Sequence, residues 1–331
     1  VSAHDELATR LQAAWQRRHG VTVRIGALQA LSAGASSNSF VFELEGPGRH
    51  ERCILQQFGG GESFVSALGK SEQARAQQAA FLGGVCTPEV LLCVDADDGL
   101  VDGFVSRFVA GETLGKRIVG DARYGDARRA LPRQCAQALA GIHALDAEAL
   151  AFLPLRNADT QIAELAARHR HYGEPLPVFE AAFAWLAQHL PPTRRPVVIH
   201  GDFRTGNLLV DETGLAGVLD WELAHRGDAM EDLGWLCVRS WRFGRDELPV
   251  GGFGRRAELY EHYEQAAGTV VDAAAVRFWE LLGTLKWGVI CQWFAHRRLR
   301  GELTQLEPAV IGRRVSEVEL QLLDLLEGRG P

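Results

Sequence analysis

The chain has 331 residues, 47% of them apolar and 23% charged, the balance of a globular protein with room for two lobes. A formal net charge of −7 would be repelled by a phosphate backbone, so nucleic acid is excluded as a general partner. The same charge leans only slightly toward a cationic small molecule.

Residues 5–18 place Leu7, Leu11 and Trp15 four apart, which predicts an amphipathic helix. Strands are expected over 21–31, 40–45 and 53–57, with a Gly-Pro-Gly turn at 46–48. The Pro-free, Ala- and Gln-rich stretch 63–82 predicts a helix, and strands follow at 90–94 and 104–109. Helical periodicity then dominates, over 127–144, 160–171, 178–190, 231–241, 255–267, 276–298 and 308–326. Three short strands interrupt it between 197 and 220, the last two joined by the turn Asp211-Glu-Thr-Gly214. A β-rich first third (1–108) and a helical remainder (109–331), hinged near 107–110, make a two-lobed layout.

Six cysteines (Cys53, Cys86, Cys93, Cys135, Cys237, Cys291) lie scattered, with no Cys-x-x-Cys pair and no His at zinc spacing, which predicts buried, reduced thiols. The opening Val-Ser-Ala-His-Asp-Glu is polar and acidic, unlike a secretory leader. The longest apolar stretch, 283–295, is interrupted by Lys286 and too short to cross a bilayer. A cytoplasmic protein with no membrane partner is expected.

The chemistry concentrates in Val-Val-Ile-His200-Gly-Asp202-Phe-Arg204-Thr-Gly-Asn207 and in Gly-Val-Leu-Asp220-Trp-Glu222. Asp202 and Asn207 have the spacing of a kinase catalytic loop, in which the Asp takes the acceptor's proton and the Asn holds magnesium. Asp220, after a hairpin, matches the second metal-binding Asp. Asp and Asn are also common turn formers, but that does not account for all three positions together. Arg204 stands where a kinase loop often carries a phosphate-touching cation, and its guanidinium has bidentate reach; a solvated arginine is the competing reading. Asp228 is placed to cap a helix, and Asp232 to brace the loop from behind. Upstream, Gly34 between Ala33 and Ala35 allows close backbone approach to phosphates, and the Ser36 hydroxyl adds a donor. A plain β-turn competes with that assignment.

The series His-Gly-Asp…Gly-Asn-Leu…Leu-Asp-Trp-Glu…Gly-Asp…Asp-Leu resembles the aminoglycoside phosphotransferase and choline kinase branch of the protein-kinase-like superfamily, over nearly the whole chain. The resemblance implies an α+β, two-lobed fold with a small β-rich lobe holding one long helix and a larger, mostly helical lobe. It implies transfer from ATP or GTP, with Mg2+ on Asn207 and Asp220, to a hydroxyl of a small molecule. The nucleotide would meet backbone at Ser106, Arg107 and Phe108, and Glu72 would be the glutamate of the first lobe's helix. One position departs from the pattern: Gln56 stands where the family carries Lys or Arg on the third strand. Arg204 or Lys70 is expected to supply part of the missing charge. A regulatory nucleotide-binding protein of the same fold is the alternative that Gln56 supports. A metal hydrolase built on His200 and Asp202 is weaker, because further His and carboxylate ligands are missing.

Overall fold

The computed structural model describes residues 3–31, 37–60, 64 and 66–329. By its contacts the chain divides into one unit of 1–111 with 216–224, and a second of 112–215 with 225–331. The fold is mixed α+β, a small antiparallel sheet and a larger helical portion.

In the first unit, helix α1 (Ala3–His19) buries Leu11, Ala14 and Trp15, as their helical spacing requires. They share a core with strands β1 (Arg24–Ile25), β3 (Ser37–Gly46) and β4 (Arg49–Phe58), through Ile25, Phe42, Leu44, Cys53 and Leu55, while β2 (Gln29–Leu31) is exposed. Helix α2 (Lys70–Leu82) and strands β5 (Val90–Val94) and β6 (Gly103–Arg107) follow. The sheet order is β1-β3-β4-β6-β5, with β2 also on β3. Where one strand is expected over 21–31, the structure has two. Ile25 pairs with Leu44 and Gln29 with Val41, so this side carries one residue more than its partner, a bulge that breaks the ladder. The helix expected over 63–82 begins only at Lys70, where Gly69 N–H donates to Glu72 Oε2 at 3.1 Å and closes the first turn.

Segment 216–224 joins this unit rather than the helical one, and its backbone says why. Val218 N–H donates to Cys86 O (2.8 Å), Thr87 Oγ1 to Val218 O (2.8 Å) and Leu68 N–H to Glu222 O (2.9 Å). Pairing at sequence separations above a hundred is invisible to local pattern.

The second unit contains α3 (Gly115–Gly120), α4 (Gly125–His143), α5 (Ala158–Tyr172) and α6 (Pro177–Gln188). Strands β7 (Val197–Ile199), β8 (Leu208–Asp211), β9 (Gly214–Val218) and β10 (His225–Gly227) come next, β9 running across the boundary between the units. Helices α7 (Met230–Cys237), α8 (Arg256–Ala267), α9 (Ala273–Leu299), α10 (Leu306–Gly312) and α11 (Val315–Leu326) complete it. Helix α9 is the spine, packed by α5, α6, α7, α10 and α11, which accounts for its apolar stretch. Among the described residues no helix is long and apolar enough to cross a membrane. The single helix expected over 308–326 is two, broken where Gly312 presses on α9; a Cβ there would lie 2.8 Å from the Ala295 nitrogen.

Candidate active site

Strand β7 pairs with β10, Ile199 opposite His225, and delivers the loop that begins at His200. Asp232, on the first turns of α7, is fully buried and receives His200 N–H at 2.8 Å and Gly201 N–H at 2.9 Å. His143 Nε2 lies 3.2 Å from the same carboxylate, and Tyr263 OH holds the other ring nitrogen at 2.8 Å. Burial alone would raise the Asp232 pKa; the His143 hydrogen bond and charge, with His200, outweigh it and hold the carboxyl below its ordinary value. Asp228, two residues before α7, accepts Met230 N–H at 3.0 Å.

The loop so fixed presents Asp202, 9% exposed. Its Oδ1 accepts from Trp235 Nε1 (2.8 Å) and Arg204 Nε (3.1 Å), and its Oδ2 from Asn207 Nδ2 (2.6 Å) and Arg204 Nε (3.2 Å). Asn207 Nδ2 also donates to Asp202 O at 3.0 Å, so both of these side-chain contacts use its nitrogen, and its amide oxygen is a hard donor by chemistry. Arg204 lies 4.9 Å over the Trp241 ring, in contact range for a cation–π pair. This fold-back depends on Gly206, since a Cβ there would fall 2.3 Å from Arg204 Nη1.

Asp220 belongs to the first unit. It is exposed and sits at φ 66°, a left-handed backbone rare for a residue with a side chain. A 3₁₀ turn, Trp221–Leu223, follows, with Trp221 Nε1 donating to Thr87 Oγ1 at 3.2 Å. Lys70, 4% exposed, donates from Nζ to Gln73 Oε1 at 3.0 Å. Burial lowers its pKa, against the charges of Glu222, Asp220 and Asp102. Glu72 caps its own helix, while the polar side chains buried on α2 are Lys70, Gln73 and Gln77. Gln56 is half-buried on β4 opposite Phe104.

The backbone expected to meet the nucleotide is partly engaged. Arg107 N–H donates to Glu89 O and Phe108 N–H to Arg52 O, each at 2.9 Å. The Arg107 side chain pairs with Glu51 and, at 2.8 Å, with Glu89; Ser106 is buried within β6. Arg52 stacks 4.3 Å from the Phe108 ring centroid. Gly34 and Ser36 lie outside the described residues. Cys86 is exposed and Cys93 half-buried, while Cys53, Cys135, Cys237 and Cys291 are buried as expected.

The model of the phosphotransferase enzyme family matches residues 27–269. The chain belongs to that family. Its fold is that of the kinase-like phosphotransferases: a candidate aminoglycoside phosphotransferase from Ralstonia eutropha superposes with a TM-score of 0.73 at 22% identity, covering 98% of this chain and 99% of the other. An aminoglycoside phosphotransferase holding GDP and kanamycin gives 0.60 at 15% identity, over 96% and 98% of the two chains. A mutant phosphotransferase with AMP-PNP and hygromycin B gives 0.59 at 16% identity, over 99% and 98%. Among curated proteins, the chain is 24% identical to an Arabidopsis thaliana protein named a probable acyl-CoA dehydrogenase, over 98% of its own length and 44% of the relative's. It is 38% identical to mouse acyl-CoA dehydrogenase family member 10 over 65 residues, 19% of this chain and 6% of that one. The chain thus spans less than half of those relatives.

Within this family member, Trp235 is the contact to Asp202 that sequence reasoning missed. A usable signal existed: Trp235 follows Asp232 by three positions, so the two share a helix face. Once Asp232 anchors residues 200–201, the next turn meets Asp202. Trp235, Trp241 and Trp287 form one cluster, with centroids 5.2 and 5.1 Å apart, and Lys286 Nζ lies 4.7 Å from the Trp235 ring. Burial pulls the Lys286 pKa down, opposed by the charges of Glu231 and Asp202.

Proposed function

We propose that this family member transfers the γ-phosphoryl group of ATP or GTP to a hydroxyl of a small acceptor, with Asp202 receiving or orienting the hydroxyl proton. The observation that carries this is the Asp202 carboxylate itself. It is held by Trp235, Asn207 and Arg204 on a loop whose backbone hangs from Asp232. Such fixing of a base before substrate arrives lowers the reorganisation needed in the transition state.

Asn207, through its amide oxygen, and Asp220, through its exposed carboxylate, would hold Mg2+; both are hard oxygen donors of the kind this ion selects. The ion's contribution is to neutralise phosphate charge. Arg204 is placed to exchange its contact with Asp202 for one with the transferring phosphate, a geometry its planar guanidinium suits. Family resemblance supports nucleotide contacts at the Gly34–Ser36 loop and along Ser106–Phe108. With the N–H groups of Arg107 and Phe108 already engaged, carbonyls there, or N–H groups beyond 108, would serve the base. The dehydrogenation named for the curated relatives is not carried over, since the chain spans less than half of them.

The test is ADP or GDP release across a panel of hydroxylated small molecules, aminoglycosides included. Acceptor-dependent release that Asp202→Ala abolishes is the expected result. Nucleotide binding with no turnover on any acceptor would instead favour a regulatory role, which the neutral Gln56 supports.

A further inference from the structure

At the strand position where the family resemblance leads one to expect a cation, β4 carries Gln56, and the side chain that α2 buries nearest its start, beside Lys70, is the neutral Gln73. A lysine is nevertheless buried there. Lys70 is 4% exposed, an uncommon fate for a residue that almost always keeps its ammonium in water. Its backbone N–H donates to Asp102 Oδ2 at 3.1 Å and its Nζ to Gln73 Oε1 at 3.0 Å. Gln73 is itself held by Leu68 O at 3.0 Å, and Leu68 N–H is bonded to Glu222 O, two residues past Asp220. The start of α2 is therefore tied by main chain to the turn that follows Asp220. The carboxylates whose charge bears on Lys70 are Glu222, Asp220 and Asp102.

We propose that Lys70, on helix α2, is the phosphate-binding cation of this protein and takes the contact with the α- and β-phosphates that a strand lysine would otherwise make. The role is one of charge and position rather than proton transfer, and it rests on the phosphotransfer function proposed above. A lysine on the helix is as able as one on the strand to neutralise phosphate, because its ammonium acts as a point charge on a long stem. Gln56 and Gln73 are then a matched neutral pair: with the cation moved, an acid on α2 has nothing on β4 to hold. Arg204, the other cation considered, is already bonded to the Asp202 carboxylate and stacked on Trp241, which suits it to the transferred group.

Calorimetric titration of the full chain with Mg·ADP and with adenosine tests this. Lys70→Met should weaken Mg·ADP about 10- to 100-fold, as loss of a charged hydrogen bond to phosphate does. Adenosine affinity and the melting temperature should stay at the unmodified values, and Lys70→Arg should keep Mg·ADP affinity within a few-fold. Adding Gln56→Lys to Lys70→Met should recover most of the lost affinity. Unchanged Mg·ADP binding by Lys70→Met, with Arg204→Ala losing it instead, overturns the assignment. So does a parallel fall in adenosine affinity and melting temperature, which would make Lys70 a support of the fold. If the unmodified chain binds no nucleotide, the phosphotransfer function fails and this role with it.

Discussion

The surroundings of Asp202 and those of Asp220 solve opposite problems. Asp202 is nearly buried, and its oxygens accept from Arg204 and Asn207 on its own loop and from Trp235 on α7, the loop itself being held by Asp232 through two backbone N–H groups. Asp220 is exposed on a left-handed residue, and the cation near it comes from a helix start rather than from the neighbouring strand. The difference is instructive: a base must be aimed to within a fraction of an ångström, whereas phosphate charge needs only a cation within reach. The first arrangement tolerates little substitution. The second permits the cation to move to another element.

If that division is right, changes around Asp202 should act on turnover and leave nucleotide affinity alone. Asp202→Asn should lower kcat roughly 10²- to 10⁴-fold, the usual worth of a positioned base, with Mg·ADP affinity nearly unchanged; a matching loss of affinity would dissolve the contrast. Asp232→Asn should destabilise the chain by about 3–5 kcal/mol in urea unfolding, since it breaks the buried His143 pair. Because the Asp232 pKa is lowered in the folded chain, its contribution is present above its unfolded value near 3.9 and disappears as pH falls through the folded value. The variant should therefore lose less stability than the unmodified chain on acidification from pH 5 to pH 3. Trp235→Phe keeps an aromatic side chain but removes the indole N–H from Asp202, so about a tenfold fall in kcat is expected, with Mg·ADP affinity unchanged. Gly206→Ala should displace the flexible end of Arg204 and reduce kcat by roughly two- to fivefold, the smallest effect of the set and less than that of Arg204→Ala, which removes the guanidinium altogether.

Much of this was legible in the residues alone. The helical spacing of Leu7, Leu11 and Trp15 identified the face of α1 that the core buries, and the alternation of β3 and β4 set their inner sides. The motifs that make Asp202, Asn207 and Asp220 candidates are short, because a loop between two strands is a local structure. Asp232 was expected behind the loop, and its carboxylate on α7 does receive the N–H groups of His200 and Gly201.

What local pattern misses is everything fixed at long separation. The grouping of 216–224 with the sheet rests on bonds to residues 68, 86 and 87. Glu72, expected as the glutamate of the first lobe's helix, accepts Gly69 N–H at the helix start, and Gln73 is the neighbouring side chain that the register of α2 buries. Which lysine is buried, and which tryptophan touches the base, depends on how helices dock. The sequence alone determined a chain of the kinase-like fold and singled out Asp202, Asn207 and Asp220 as candidates for the base and metal-ligand roles proposed above, because their motifs are short and local. Only the tertiary structure decided which groups hold the Asp202 carboxylate and that Lys70 is buried, because burial and helix register are properties of packing, not of spacing.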